Sequence, residues 1–140
     1  MISEMNRIAR GGIAALALIL AGCTTASGPK PEVVGPVWGA VSIADKAVLD
    51  HALITLQLDG DGRASGKGGC NGYGGSYSLD DPALRFGPLA STKMACATEV
   101  MDQEQAYFDL LAQVERYAVG DDSALVLMTA DGKEIRFLRE

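Results

Sequence analysis

From Trp38 onward, turn-forming residues cut the chain into short apolar stretches, and only one stretch carries a helical period; this constrains the fold more than any other feature. Strands are predicted at Trp38 to Ile43, Leu53 to Leu58, Arg63 to Gly68, Gly75 to Leu79, Leu84 to Phe86 and Ser91 to Met94. Ile54, Leu56 and Leu58 alternate with Thr55 and Gln57, the period of a strand with one buried face. Asp59-Gly60-Asp61-Gly62 then supplies the positive φ angles of a hairpin turn. Thr98 is the expected N-cap of the helix, with Val100, Met101, Tyr107, Phe108, Leu111 and Val114 on one side and Asp102, Glu104 and Asp109 mostly elsewhere. Arg116 to Val119, Ala124 to Thr129 and Glu134 to Leu138 follow as a meander. Short links pair successive strands antiparallel, so the expected class is α+β, mainly β: a small, strongly curved antiparallel sheet or conical β-barrel, with one helix across an opening or face.

The first 22 residues read differently. Arg7 and Arg10 precede the apolar run Gly11 to Ala21, which is well short of the roughly 20 residues a membrane-spanning helix needs. It ends in Leu20-Ala21-Gly22-Cys23, the pattern of a lipoprotein signal peptide, in which the Cys23 thiol accepts diacylglycerol and becomes the acylated first residue of an exported domain. Thr24, rather than an aspartate, follows the cysteine, which favours sorting to the outer membrane, with the domain facing the periplasm; the periplasmic face of the inner membrane is the alternative. The expected organisation is a signal peptide over 1–22, a Ser-, Thr-, Gly- and Pro-rich flexible tether over 23–36 and one domain over 37–140, with Trp38 as an early core anchor.

Charge narrows the partners. The chain has a net charge of −6 and no basic run, so nucleic acid is excluded as a partner, since phosphate binding needs clustered Lys and Arg.

The run from Asp61 through Gly69-Cys70-Asn71-Gly72-Tyr73 to Tyr77, and the later Phe86-Gly87-Pro88-Leu89 to Lys93-Met94-Ala95-Cys96, resemble the META domain family of HslJ-like proteins. The resemblance takes in Trp38, the helix with Glu104 and Phe108, and the last strand pair around Asp131-Gly132. It implies a compact barrel-like α+β fold, often on exported lipoproteins, linked to heat shock and antibiotic stress and without an established enzymatic activity. Ala97 after Cys96 and Lys67-Gly68-Gly69 before Cys70 depart from the usual pattern and bear on loop shape. A likeness in fold to secretin pilot lipoproteins, which bind partner peptides, is a fold-level analogy only.

With Cys23 committed to lipid, Cys70 and Cys96 remain as an even pair in an oxidising compartment. A structural disulfide is expected, worth on the order of 3 kcal/mol from loop closure, with two reduced buried thiols as the alternative. Zinc would want four ligands, and these two distant cysteines share one histidine, His51, so neither a metal nor a cofactor is expected. Asp59 and Asp61 lack the remaining calcium-loop ligands, and Gly66-Lys67-Gly68-Gly69 lacks the spacing of a phosphate-cradling loop. The glycines around Cys70 suit tight turns, a bulge or close backbone approach. If the domain has a binding surface, Asn71, Tyr73, Tyr77 and Lys93 are the candidates, because amphipathic aromatic groups beside polar ones suit partner recognition.

The functional expectation is a lipid-anchored accessory module that binds an envelope protein or peptide in envelope maintenance or stress, rather than an enzyme. The alternatives are a pilot-like chaperone, which would need an apolar groove or an exposed sheet edge, and a hydrolase, which would need a pocket of perturbed titratable groups.

Overall fold

The computed structural model describes residues 32–140; the segment expected to be a signal peptide and Cys23, the expected acceptor, lie outside the described residues. The elements in chain order are β1 (Val37–Ile43), β2 (Lys46–Ala47), β3 (Leu53–Leu58), β4 (Arg63–Gly69), β5 (Gly72–Asp80), β6 (Ala83–Ser91), α1 (Thr98–Leu111), β7 (Val114–Val119), β8 (Leu125–Thr129) and β9 (Glu134–Arg139). Each strand pairs antiparallel with its neighbour, and β1 takes β3 on one side and β9 on the other. This closes eight strands into a barrel, with β2 a two-residue spur on the end of β1. The expectation of a mainly β, barrel-like fold with one helix is met.

Period-two patterning sets the inside. Ile54, Leu56 and Leu58 of β3, Leu125 and Leu127 of β8 and Ile135 and Phe137 of β9 point inward and are buried, while Gln57 and Glu134 are exposed. Trp38 sits among them, its indole N–H donating to the Val33 carbonyl at 3.1 Å. Val33 is itself fully buried and Val34 bridges to Leu58, so residues that the sequence assigns to the tether are packed into the domain. The Asp59 to Gly62 turn forms as expected: Oδ1 of Asp59 accepts the N–H groups of Asp61 and Arg63 at 2.9 Å each, and Gly62 has φ +82°.

Three local expectations give way. Leu84 to Phe86 and Ser91 to Met94 are not two strands: Ala83–Ser91 is one strand with a bulge opposite Gly75 to Tyr77, and residues 92–97 are irregular. Thr98 does not cap the helix. It is the first helical residue, and the carbonyl of Ala97 receives the N–H groups of Val100 and Met101 with no side-chain cap. The helix stops at Leu111, so Val114 belongs to β7, and the inward face is Val100, Glu104, Tyr107, Leu110 and Leu111. Glu104 is thus inside, against expectation.

Gln103 on α1 accepts from the Leu49 N–H and donates to the Ala47 carbonyl, while Glu104 reaches the turn between β4 and β5. These connections lie at one end of the barrel, so the helix crosses that mouth and drives Tyr107 into the core, its ring 6.3 Å from Phe137.

Candidate functional site

Three segments meet at this mouth of the barrel: the Gly69 to Asn71 turn, residues 92–97 and the first half of α1. A disulfide between Cys70 and Cys96, with Cα atoms 6.0 Å apart, ties the first two together. The Asn71 side chain fastens them further. Its Oδ1 accepts from the Thr92 hydroxyl at 2.9 Å and from the Met94 N–H at 2.7 Å, and its Nδ2 donates to Oε1 of Glu104 at 2.6 Å. The other carboxylate oxygen of Glu104 accepts the N–H groups of Asn71 at 2.6 Å and Cys70 at 3.0 Å.

A buried carboxylate needs such compensation. Burial pushes the Glu104 pKa up, but the backbone and side-chain donors of Asn71, the Cys70 N–H and the positive charge of Lys93 outweigh it, and the group is held below its ordinary value. Glu104 is therefore an ionised clamp, with its lone pairs engaged inside the protein. Gly68 permits the approach, since a Cβ there would stand 2.7 Å from the Phe108 ring and 2.8 Å from Oε2 of Glu104.

A second polar cluster lies deeper. Between β3 and β4 the ladder pairs Ile54 with Gly68 and Gln57 with Ser65 but leaves out the rungs between. Side chains replace them: the Lys67 N–H donates to the Thr55 hydroxyl at 3.0 Å, and the Tyr73 hydroxyl donates to the Thr55 carbonyl at 2.8 Å. With its one proton so placed, the Tyr73 oxygen accepts from Tyr107 at 2.7 Å. Burial is the leading cause of the raised pKa of both phenols, which keeps them neutral donors. A Cβ on Gly66 would lie 2.0 Å from the Thr55 oxygen, so this arrangement requires glycine there.

The four residues expected to form one binding surface are therefore not gathered on one exposed face, although Asn71 and Lys93 border the same depression. Asn71 and Tyr73, only 3% and 6% exposed, are internal fasteners. Tyr77 is half-buried on the far side of the barrel, its hydroxyl donating to the Asp59 carbonyl. Lys93 alone of the four is exposed and lines a groove. His51 is exposed in the turn before β3, and among the described residues no three His, Cys, Asp or Glu side chains gather as metal ligands.

That groove runs between β6 and α1, with a volume of about 410 Å³. Phe86, Pro88, Leu89, Phe108 and Ala112 give it an apolar lining, with Lys93 towards the disulfide end and Asp109 towards the C-terminal end of the helix. Two signals for the site were present in the sequence. Glu104 falls on the Val100, Tyr107 and Leu111 stripe at helical spacing, a charge on an apolar face that must find partners, and Pro88 inside a strand marks an edge.

Residues 32–140 match the META domain. The NMR structure of a protein from Burkholderia xenovorans is 35% identical, with a TM-score of 0.66 over 77% of this chain and 83% of that one. A second NMR structure, 21% identical with a TM-score of 0.59, covers 73% of this chain and 86% of its own. The crystal structure of a DUF4847 family protein from Bacteroides vulgatus, 15% identical with a TM-score of 0.54, covers 76% and 93% and shares the fold alone. No curated protein matches. The match across all described residues, which include the Cys70, Asn71 and Cys96 that build the clamp, places the chain in the META domain family.

Proposed function

We propose that this META domain is a non-catalytic binding module held at the bacterial envelope by a lipid on Cys23, in the outer membrane and facing the periplasm, where it serves envelope maintenance under stress. The observation that carries the binding reading is the state of the buried polar groups: Glu104, Asn71, Tyr73 and Tyr107 are all engaged with one another or with backbone. A hydrolytic site needs a base or nucleophile free to meet substrate, whereas the groove beside them mixes apolar side chains with Ser91, Lys93, Gln105 and Asp109 and brings no histidine or cysteine to its lining. The anchor reading rests on the Leu20-Ala21-Gly22-Cys23 pattern. A lipid there would confine the domain to a thin layer near the membrane and raise its effective concentration towards partners in that layer.

Fractionation of the full chain and of Cys23→Ser tests the anchor. The native protein is expected in the outer-membrane fraction with an acylated Cys23 at its N-terminus by mass spectrometry, and the variant in the soluble periplasm. A native chain that is soluble and retains Met1 would refute it.

A further inference from the structure

The barrel is closed least completely between β6 and β7. Among the described residues, Ala83 with Arg116 is the single ladder pair between these strands, continued by the Tyr117 N–H donating to the Pro82 carbonyl. The remainder of β6 runs on past the start of β7. Its backbone directions follow from its other neighbour. The Thr92 N–H donates to Gly72 and the Tyr77 N–H turns away from β6 to Gly62, which fixes the alternation on both sides of the bulge. Phe86, Leu89 and Ser91 therefore aim their N–H and C=O groups away from β5, into the groove, and no described residue pairs with them. Pro88, which has no N–H to leave unmatched, sits between them, as suits an edge.

We infer that the β6 edge is a docking site for an extended peptide from a partner protein, added as a strand beside Phe86 to Ser91. This rests on the reading of the domain as a binding module and names its ligand class. A row of alternating backbone donors and acceptors is matched by another backbone in extended form, and the Phe86, Leu89 and Phe108 side chains accept apolar residues from alternate positions of the guest. Charge sets the guest's polarity. Lys93 forms no salt bridge among the described residues and marks one end; Asp109 and the C-terminus of α1, with no basic residue in its last turn, mark the other. The guest carries a carboxylate at the Lys93 end and a cation at the Asp109 end. The sequence of residues 24–31, with two prolines and no large apolar side chain, does not match such a guest.

The test pans phage-displayed random decapeptides against the soluble Cys23→Ser chain and follows the selected peptides by hydrogen exchange. Retained peptides are expected to alternate apolar residues and to carry Asp or Glu, and to slow exchange at the Phe86, Leu89 and Ser91 amides. Ala112→Trp, an exposed position that fills the groove, should weaken binding at least about tenfold. Lys93→Glu should cost the acidic peptides roughly fivefold, the upper range for an exposed ion pair. The inference is overturned if the folded protein retains no peptide, if protection falls elsewhere, or if Ala112→Trp leaves affinity unchanged. It is equally overturned if sedimentation shows a dimer whose β6 amides are already protected, since the edge would then belong to a second copy. None of these outcomes touches the anchor, which fractionation decides on its own.

Discussion

Replacing Glu104 by glutamine keeps the shape of the clamp and removes its charge. The glutamine oxygen can still accept the N–H groups of Cys70 and Asn71, but its amide NH₂ then faces Nδ2 of Asn71, donor against donor. Flipping Asn71 only moves the conflict, because its Oδ1 is needed by the Met94 N–H. At least one buried donor stays unmatched and two charge-assisted hydrogen bonds become ordinary ones, together about 3 kcal/mol. For a domain of this size that is a fall in Tm of about 12 °C. The pH dependence is the sharper check. Because the folded pKa lies below the ordinary value of 4.5, the clamp's contribution is complete above that value and is lost as the pH falls through the folded one. Urea melts of the Cys23→Ser chain, followed by the fluorescence of buried Trp38, should show the wild type and Glu104→Gln far apart at neutral pH and drawing together as the pH falls below 4.5 through the folded pKa. A difference under about 1 kcal/mol at neutral pH, or one that acid leaves intact, would refute the clamp.

Two further outcomes follow from the same end of the barrel. Gly66→Ala should destabilise by more than about 3 kcal/mol or abolish folding, because the new Cβ meets rigid backbone of Thr55. Gly72→Ala, whose nearest neighbour would be 3.7 Å away, should cost less than about 1 kcal/mol in the same urea melts. Reducing the Cys70–Cys96 bond, which spans 26 residues, should lower unfolding free energy by about 3.5 kcal/mol while leaving the far-ultraviolet spectrum of the folded chain in place. An unchanged urea midpoint under reductant would contradict it.

Most of the barrel was legible because burial on one face writes a period of two into β3, β8 and β9 and because Asp and Gly mark the turns. β6 was not, since Gly87 and Pro88 interrupt its pattern; they mark the bulge and the open edge, which depend on a neighbour that propensity cannot see. The burial of two of the four candidate surface residues was hidden for a related reason. Asn71 and Tyr73 are the residue types that suit recognition, and also those that replace missing backbone partners in a crowded interior; only the position of Glu104 across the turn tells the two apart. The helical period places Val100, Tyr107 and Leu111 inward, as observed, whereas the charge of Glu104 points it outward on paper and its hydrogen bonds hold it inward.

Closure of the barrel by β1 and β9 also has a kinetic meaning. Trp38 is paired with Arg139, so the two seams of the first strand are completed by segments at opposite ends of the domain. Such long-range pairing raises contact order and slows folding. When the domain emerges N-terminus first into the compartment where it folds, β1 remains an open edge, with the Trp38 face uncovered, until β9 has emerged. The unclosed edge is open to aggregation for that interval, which ends when β9 reaches β1.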